Sequence, residues 1–300
     1  MGLSRRVFLT AAAVPLAGCT ASPPPQQQTT STAAPLTTTT TTTTAARHEP
    51  LFALEQKFGA RLGVFASCGD RTVEHRADER FAFCSTFKAL AAAAVLSRDV
   101  ALDTVVTYTE AELMKSSQIT RRHVTTGMSL RDLCDAAVRY SDGTAGNLLL
   151  RTAGGPAELT AYLRGLGDEV TRMDRVEPDI TSAVPGDPRD TSTPRALGTT
   201  YRALVTGTAL PERHRAFLRD LMERNTTGDQ RIRAGVPKDW KVADKTGTGS
   251  YATMNDIGIA WPPTGEPLLI ALMSSKPAAD APYDQALLAE AAAYVAATLS

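Results

Sequence analysis

Cysteine and histidine are scarce in this 300-residue chain, with four of each. The histidines, His48, His75, His123 and His214, lack the paired spacing of a zinc site, which disfavours a metal-dependent mechanism. Cys68, Cys84 and Cys134 follow Cys19, and that odd number leaves at least one thiol unpaired. Charge of one sign is also missing. The chain carries 32 basic and 32 acidic residues and no basic cluster, so binding to nucleic acid or anionic lipid has no electrostatic support. No apolar run after residue 19 is long enough to span a bilayer, and nothing indicates an internal repeat.

The first residues have their own grammar. Arg5-Arg6 precedes an apolar stretch that ends at Leu16-Ala17-Gly18-Cys19, and the order charged, apolar, small describes an export signal too short to be a spanning helix. Ser4-Arg5-Arg6-Val7-Phe8-Leu9 resembles a twin-arginine signal, and Leu16 to Cys19 resembles a lipobox. The resemblance implies cleavage before Cys19 and a lipid on its sulfur. The protein would then sit on the outer face of the cytoplasmic membrane, with release as a soluble secreted form the other outcome. A twin-arginine substrate folds in a reducing cytosol, so no obligatory disulfide is expected. Residues 20–46 are mostly Ser, Pro, Gln, Thr and Ala, with an unbroken threonine run from Thr37 to Thr44. Such a stretch cannot bury a core and reads as a tether, which leaves residues 47–300 as the folded catalytic domain.

The chain is organised around Phe83-Cys84-Ser85-Thr86-Phe87-Lys88, which runs into Ala89-Leu90-Ala91-Ala92-Ala93-Ala94-Val95-Leu96. The Ala/Leu run has high helix propensity and no breaker, which predicts Ser85 and Lys88 in its first turn. Three residues apart on a helix, the two side chains share a face. A serine hydroxyl becomes a useful nucleophile when a neighbour takes its proton, and a partly buried lysine can do so. The helix N-terminus adds backbone N–H groups for a developing oxyanion. Cys84 beside the serine has no histidine in any catalytic arrangement, so packing is its expected role.

Apolar periodicity predicts a helix over Leu51–Phe58, then strands at Arg61–Ala66 and Thr72–Arg76 around a Gly69-Asp70 turn. Ser129-Leu130-Arg131-Asp132 looks like a capped helix start, and that helix stops at Ser141-Asp142-Gly143. Two short helices follow, from Thr144 to Thr152 and from Pro156 to Gly165. Residues 172–190 are rich in turn formers and almost without period, a length that is usually functional in a compact domain. Helices then start at Thr193-Pro194 and Pro211, strands run over Trp240–Thr246, Tyr251–Trp261 and Leu268–Met273, and a last helix spans roughly Asp284 to Thr298. Strands at both chain ends with helices between them suit an α/β sandwich. This predicts an antiparallel sheet of five strands flanked by helices, beside an all-helical lobe, with the site in the cleft between them.

Ser85-Thr86-Phe87-Lys88, Ser141-Asp142-Gly143, Glu177-Pro178-Asp179 and Lys245-Thr246-Gly247-Thr248-Gly249 occur in that order and resemble the motifs of the class A β-lactamases over roughly residues 48–298. The resemblance implies hydrolysis of the β-lactam amide of penicillins and cephalosporins through a Ser85 acyl-enzyme, with no metal or organic cofactor. It also implies backbone N–H groups of Ser85 and Thr248 as the oxyanion hole and Lys88 as the group that holds and tunes Ser85, with either Lys88 or Glu177 acting through water as the base that takes the Ser85 proton. Ser141 would relay a proton to the leaving nitrogen, although a lone helix-end serine is more often a cap. Glu177 would activate the water that releases the acyl group. Lys245, Thr246, Gly247 and Thr248 would meet the substrate carboxylate, and Arg175 and Asp190 would form the ion pair that closes an Ω-type loop. The partners are small β-lactams, membrane contact is through the lipid anchor alone, and a monomer is expected.

Several positions depart from the family pattern. Met254 stands where many class A enzymes carry a carboxylate-binding arginine, and Arg231 is the substitute. Gly143 replaces an asparagine, as in the broad-spectrum mycobacterial-type enzyme, and suggests a roomy site. Thr181 replaces an asparagine that helps Glu177 hold water, which predicts slower deacylation. Ser116 replaces a larger gatekeeper and suggests an open entrance. The rival readings are a D,D-peptidase and a β-lactam sensor that stays acylated; both leave Glu177 and its loop unexplained.

Overall fold

The computed structural model describes residues 48–300, so the export signal, the tether and Cys19 lie outside the described residues. The first helix, α1 (Glu49–Phe58), has Pro50 in its first turn and ends at Gly59 in the left-handed conformation, φ 56°. It leads to β1 (Arg61–Cys68), β2 (Arg71–His75) and the short β3 (Phe81–Ala82). A 3-10 turn, Cys84–Thr86, precedes α2 (Phe87–Ser97). Next come β4 (Val105–Val106), β5 (Met128–Ser129), α3 (Leu130–Arg139), α4 (Gly143–Thr152) and α5 (Pro156–Gly165). The second half holds β6 (Thr191–Ser192), α6 (Pro194–Val205), α7 (Glu212–Glu223) and α8 (Ile232–Gly235). Then β7 (Lys241–Gly249), β8 (Thr253–Trp261), β9 (Leu268–Ser275) and α9 (Ala286–Leu299) close the chain.

The five long strands form one sheet in the order β2-β1-β9-β8-β7, antiparallel at every step. Both ends of the chain therefore contribute, as expected. Because side chains alternate along a strand, β9 sends Leu269, Ala271 and Met273 to one core and Leu268, Ile270 and Leu272 to the other. The first core joins the sheet to α2–α7, and the second joins it to α1, α8 and α9. Helix α2 has no polar face: Phe87 through Leu96 are all buried, which is the pattern of a helix enclosed on every side. It forms the axis of the helical lobe.

Three features differ from the sequence reading. Cys84 adopts φ 48°, a left-handed conformation that α-helix cannot contain, so Ser85 sits in the 3-10 turn just before α2 rather than inside it. Strand β7 continues past Thr246 to Gly249, because its register with β8 holds through Gly249 opposite Thr253. The pairs β3–β6 and β4–β5 and the four-residue α8 were not anticipated; two-residue strands and single-turn helices carry no periodicity to read.

Candidate active site

Three sequence motifs converge because α2, the α3–α4 junction and β7 meet at one edge of the sheet. Asn255, on β8, donates its side-chain amide to the carbonyls of Ala82 (2.9 Å) and Phe83 (3.0 Å), which ties the nucleophile turn to the sheet. Gly247 permits the approach, since a Cβ there would lie 2.5 Å from Phe83 O. At Gly249 a Cβ would lie 2.7 Å from both Cys84 Sγ and Thr181 O. Cys84 itself is fully enclosed, and burial pushes its thiol up to about 12, so it packs between strand and loop and is not a nucleophile.

Helix α3 is capped by Ser129, whose hydroxyl accepts from Asp132 N, and it ends at Tyr140. The cap of α4 is Asp142, whose carboxylate takes bonds from the N–H groups of Ala145, Ile119 and Thr120 and from the Thr120 hydroxyl. The capping duty that a serine at this junction would normally have thus falls to its neighbour. Ser141, in the left-handed conformation at φ 56°, keeps its hydroxyl for the cleft.

The cluster is tight. Lys88 Nζ donates to Ser85 Oγ at 3.0 Å, to Ser141 O at 2.7 Å and to Ser141 Oγ at 3.3 Å, and lies 2.6 Å from Glu177 Oε1. Ser85 Oγ donates to the same Glu177 oxygen at 3.0 Å. Lys245 Nζ donates to Ser141 Oγ at 3.1 Å from the other side. Lys88 and Glu177 are 1% and 6% exposed, so the charges meet largely out of water, where their attraction is strong. Lys245 is fully enclosed, and desolvation, followed by the nearby Lys88 charge, lowers its ammonium to about 7.

Glu177 reaches this cluster from the 172–190 loop. Arg175 Nε donates to Asp190 Oδ2 at 2.5 Å, and Asp190 Oδ1 accepts from the backbone of Asp174 and Arg175 at 2.7 and 2.9 Å. Asp190 is wholly buried, and its own carbonyl accepts from Phe83 N at 3.1 Å, which joins the loop's base to the nucleophile turn. The expected ion pair is therefore formed. A further clamp went unread: Asn147 on α4 donates to Glu177 O and accepts from Glu177 N, both at 3.0 Å. Its sequence signal was a polar residue four positions after Gly143, just before the apolar run Leu148-Leu149-Leu150.

These groups line a cleft of about 840 Å³. Ser85, Lys88, Ser116, Ser141, Glu177, Thr181, Arg231, Thr246, Gly247 and Thr248 all reach it. Gly143 and Lys245 do not line it; Lys245 stands behind the wall and touches the cleft through Ser141. The space at Gly143 is filled, because a Cβ there would lie 2.3 Å from Ser116 Oγ and 2.4 Å from Glu177 Oε2. Arg231 donates to Gly247 O (3.0 Å), Asn255 O (2.8 Å), Thr248 Oγ1 (2.8 Å) and Gln285 Oε1 (2.7 Å), which fixes its guanidinium against the C-terminal end of β7. Burial pulls Arg231 below its ordinary value. Met254, by contrast, is buried in the second core. Thr181 Oγ1 donates to Pro178 O at 2.7 Å, turning its hydrogen back into its own loop.

Residues 47–299 match the model of the β-lactamase enzyme family. A β-lactamase of Amycolatopsis lactamdurans is 56% identical over 243 residues, 80% of each chain. A β-lactamase of Mycobacterium tuberculosis is 52% identical over 257 residues, covering 82% of this chain and 84% of its own. Among solved structures, the β-lactamase from Streptomyces albus G superposes with a TM-score of 0.82 at 43% identity, over 84% of this chain and 98% of its own.

Proposed function

The chain belongs to the β-lactamase enzyme family, with class A structural relatives, and we propose that it opens the lactam ring with Ser85 and releases the product with Glu177. It hydrolyses β-lactams and confers resistance to them. The observation that carries the residue assignment is the triangle of Ser85 with the buried Lys88 and Glu177, every edge at 3.0 Å or less. In its free-amine form Lys88 has a lone pair 3.0 Å from Ser85 Oγ, and in that form it takes the Ser85 proton and passes it on to Ser141, 3.3 Å away.

Ser85 Oγ attacks the lactam carbonyl, and the oxyanion lies between the N–H groups of Ser85 and Thr248. Ser141, held between Lys88 and Lys245, gives its proton to the leaving nitrogen as it receives the one that Lys88 took from Ser85, so Glu177 remains a carboxylate. Glu177 then takes a proton from water as the water oxygen bonds to the acyl carbon. Thr246, Thr248 and Arg231 receive the substrate carboxylate, with Lys245 contributing charge from behind. The substrates are penicillins and cephalosporins.

We further propose that the protein is anchored through a lipid on Cys19 at the outer face of the cytoplasmic membrane and works as a monomer. Support comes from the twin-arginine and lipobox patterns and the threonine-rich tether. Replacing Cys19 with alanine should move activity from the membrane fraction to the soluble one; retention on the membrane overturns the anchor.

A time course of chromogenic cephalosporin hydrolysis, read with the mass of the enzyme, tests the chemistry. Sustained turnover is expected, and Glu177→Ala should acylate fast and then stall as a stable adduct on Ser85. A single-equivalent burst from the wild type would mean a penicillin-trapping protein instead.

A further inference from the structure

We propose that Ser116 is a positioning residue for Glu177 in release of the acyl group, and that the missing side chain at Gly143 is what admits it. The inference rests on the acyl-enzyme reading above. Glu177 Oε1 is committed twice, to Ser85 Oγ and to Lys88 Nζ. Among the described residues, the other oxygen, Oε2, receives one hydrogen bond, from Ser116 Oγ at 3.3 Å. A carboxylate held through one oxygen can still turn about its last torsion, which is broad and soft. A donor on the second oxygen fixes the plane of the group, and with it the direction in which a lone pair meets the water. Thr181, whose position suggests that duty, spends its hydroxyl hydrogen on Pro178 O.

Gly143 makes the arrangement possible. A Cβ on Gly143 would fall 2.3 Å from Ser116 Oγ and 2.4 Å from Glu177 Oε2, far inside contact distance for both. Any side chain at 143 must therefore expel the Ser116 hydroxyl, displace the carboxylate, or both. Position 143 and position 116 act as a unit: one supplies the hydroxyl and the other leaves the space for it. Glu177 is then gripped from two directions. Asn147 on α4 holds its backbone, and Ser116, at the exposed rim of the cleft between β4 and β5, holds its carboxylate. In the step itself Glu177 takes the proton of water, the water oxygen bonds to the acyl carbon, and the ester bond to Ser85 Oγ breaks. The proton then passes to Ser85 Oγ, and Ser116 keeps its own.

Acylation and deacylation rates of the full chain, resolved by stopped flow and time-quenched mass measurement with a chromogenic cephalosporin, test this. Ser116→Ala should slow deacylation about tenfold, the scale of one hydrogen bond to a charged group, while acylation stays within about twofold. Acyl-enzyme should accumulate, and Ser116→Thr, which keeps the hydroxyl, should restore release. Gly143→Ala should also slow deacylation, and the double variant Ser116→Ala/Gly143→Ala should be no slower than Gly143→Ala alone, because both act on the same contact. Deacylation at the wild-type rate in Ser116→Ala, equal slowing of both steps, or additive effects in the double variant each overturn the proposal. Failure of the underlying acyl-enzyme reading looks different: no adduct on Ser85 in the wild type or in Glu177→Ala.

Discussion

Ser85, Ser141 and Thr248 stand at the ends or junctions of regular elements, whereas Glu177 hangs from an irregular segment between Thr171 and Thr191. The first wall is fixed redundantly. Helix α2 is enclosed by core on all sides, β7 is paired along its length with β8, and Asp142 and Asn255 pin the turns between them. The loop wall has a handful of polar clamps instead: the Arg175–Asp190 pair, the two Asn147 bonds, the proposed Ser116 contact, and Ser250 N donating to Thr181 O. Acylation draws mainly on the redundant wall and deacylation mainly on the clamped one. Single substitutions should therefore separate the two half-reactions according to which wall they touch.

The largest effect is expected from Arg175→Ala. It strands the Asp190 carboxylate in a fully buried position, a loss on the scale of ~3–5 kcal/mol for the loop's closed form. A displacement of Glu177 by about 1 Å would cut kcat roughly a hundredfold. Burst kinetics should show rapid acylation followed by stalled release; equal loss in both steps would erase the distinction between the walls. Asn147→Ala comes next. It leaves the backbone N–H and carbonyl of Glu177 without their side-chain partner and should lower kcat about tenfold with a smaller change in acylation.

Arg231→Ala probes the other wall. Loss of the guanidinium beside Thr248 should raise KM for penicillins about tenfold with kcat nearly held, the mark of binding shared by ground and transition states. A fall in kcat alone would move Arg231 from substrate binding to support of β7. A fourth effect is on stability and follows pH. Burial lowers Lys245 from 10.5 to about 7, so between those values the unfolded chain holds a proton that the folded chain has released. Stability from this group therefore rises with pH across that window. In thermal melts the difference between wild type and Lys245→Met should shift in favour of the wild type from pH 7 to pH 10; a flat difference would contradict that.

Much of the fold was legible because its long elements announce themselves. Leu51–Phe58 shows a helical period, the Ala/Leu run after Phe87 and the strands near Val64, Ile257 and Ile270 are apolar-rich runs buried on both sides, and Gly and Pro mark several of their ends. The catalytic set was legible through motif order and the family resemblance; no period in residues 172–190 points to Glu177. What stayed hidden depends on contacts between distant segments. Asn147 looks like any helical polar residue until Glu177 arrives beside it. Lys245 reads as a substrate-facing cation, yet its enclosure follows from how β7 lies against α7 and the turn at Cys84–Thr86. Gly143 reads as added room, and only the positions of Ser116 and Glu177 reveal that the room is taken.

Strand β7 ends the sheet, and an unpaired strand flank is ordinarily the place where protein chains stick to one another. Here most of that flank is sealed by α7 and the nucleophile turn, and the short length from Thr246 to Gly249 opens onto the cleft. Along that opening the carbonyls of Thr246, Gly247 and Gly249 already accept from Lys245, Arg231 and Tyr283, which leaves little for another chain to pair with. The same enclosure shields the sheet from aggregation.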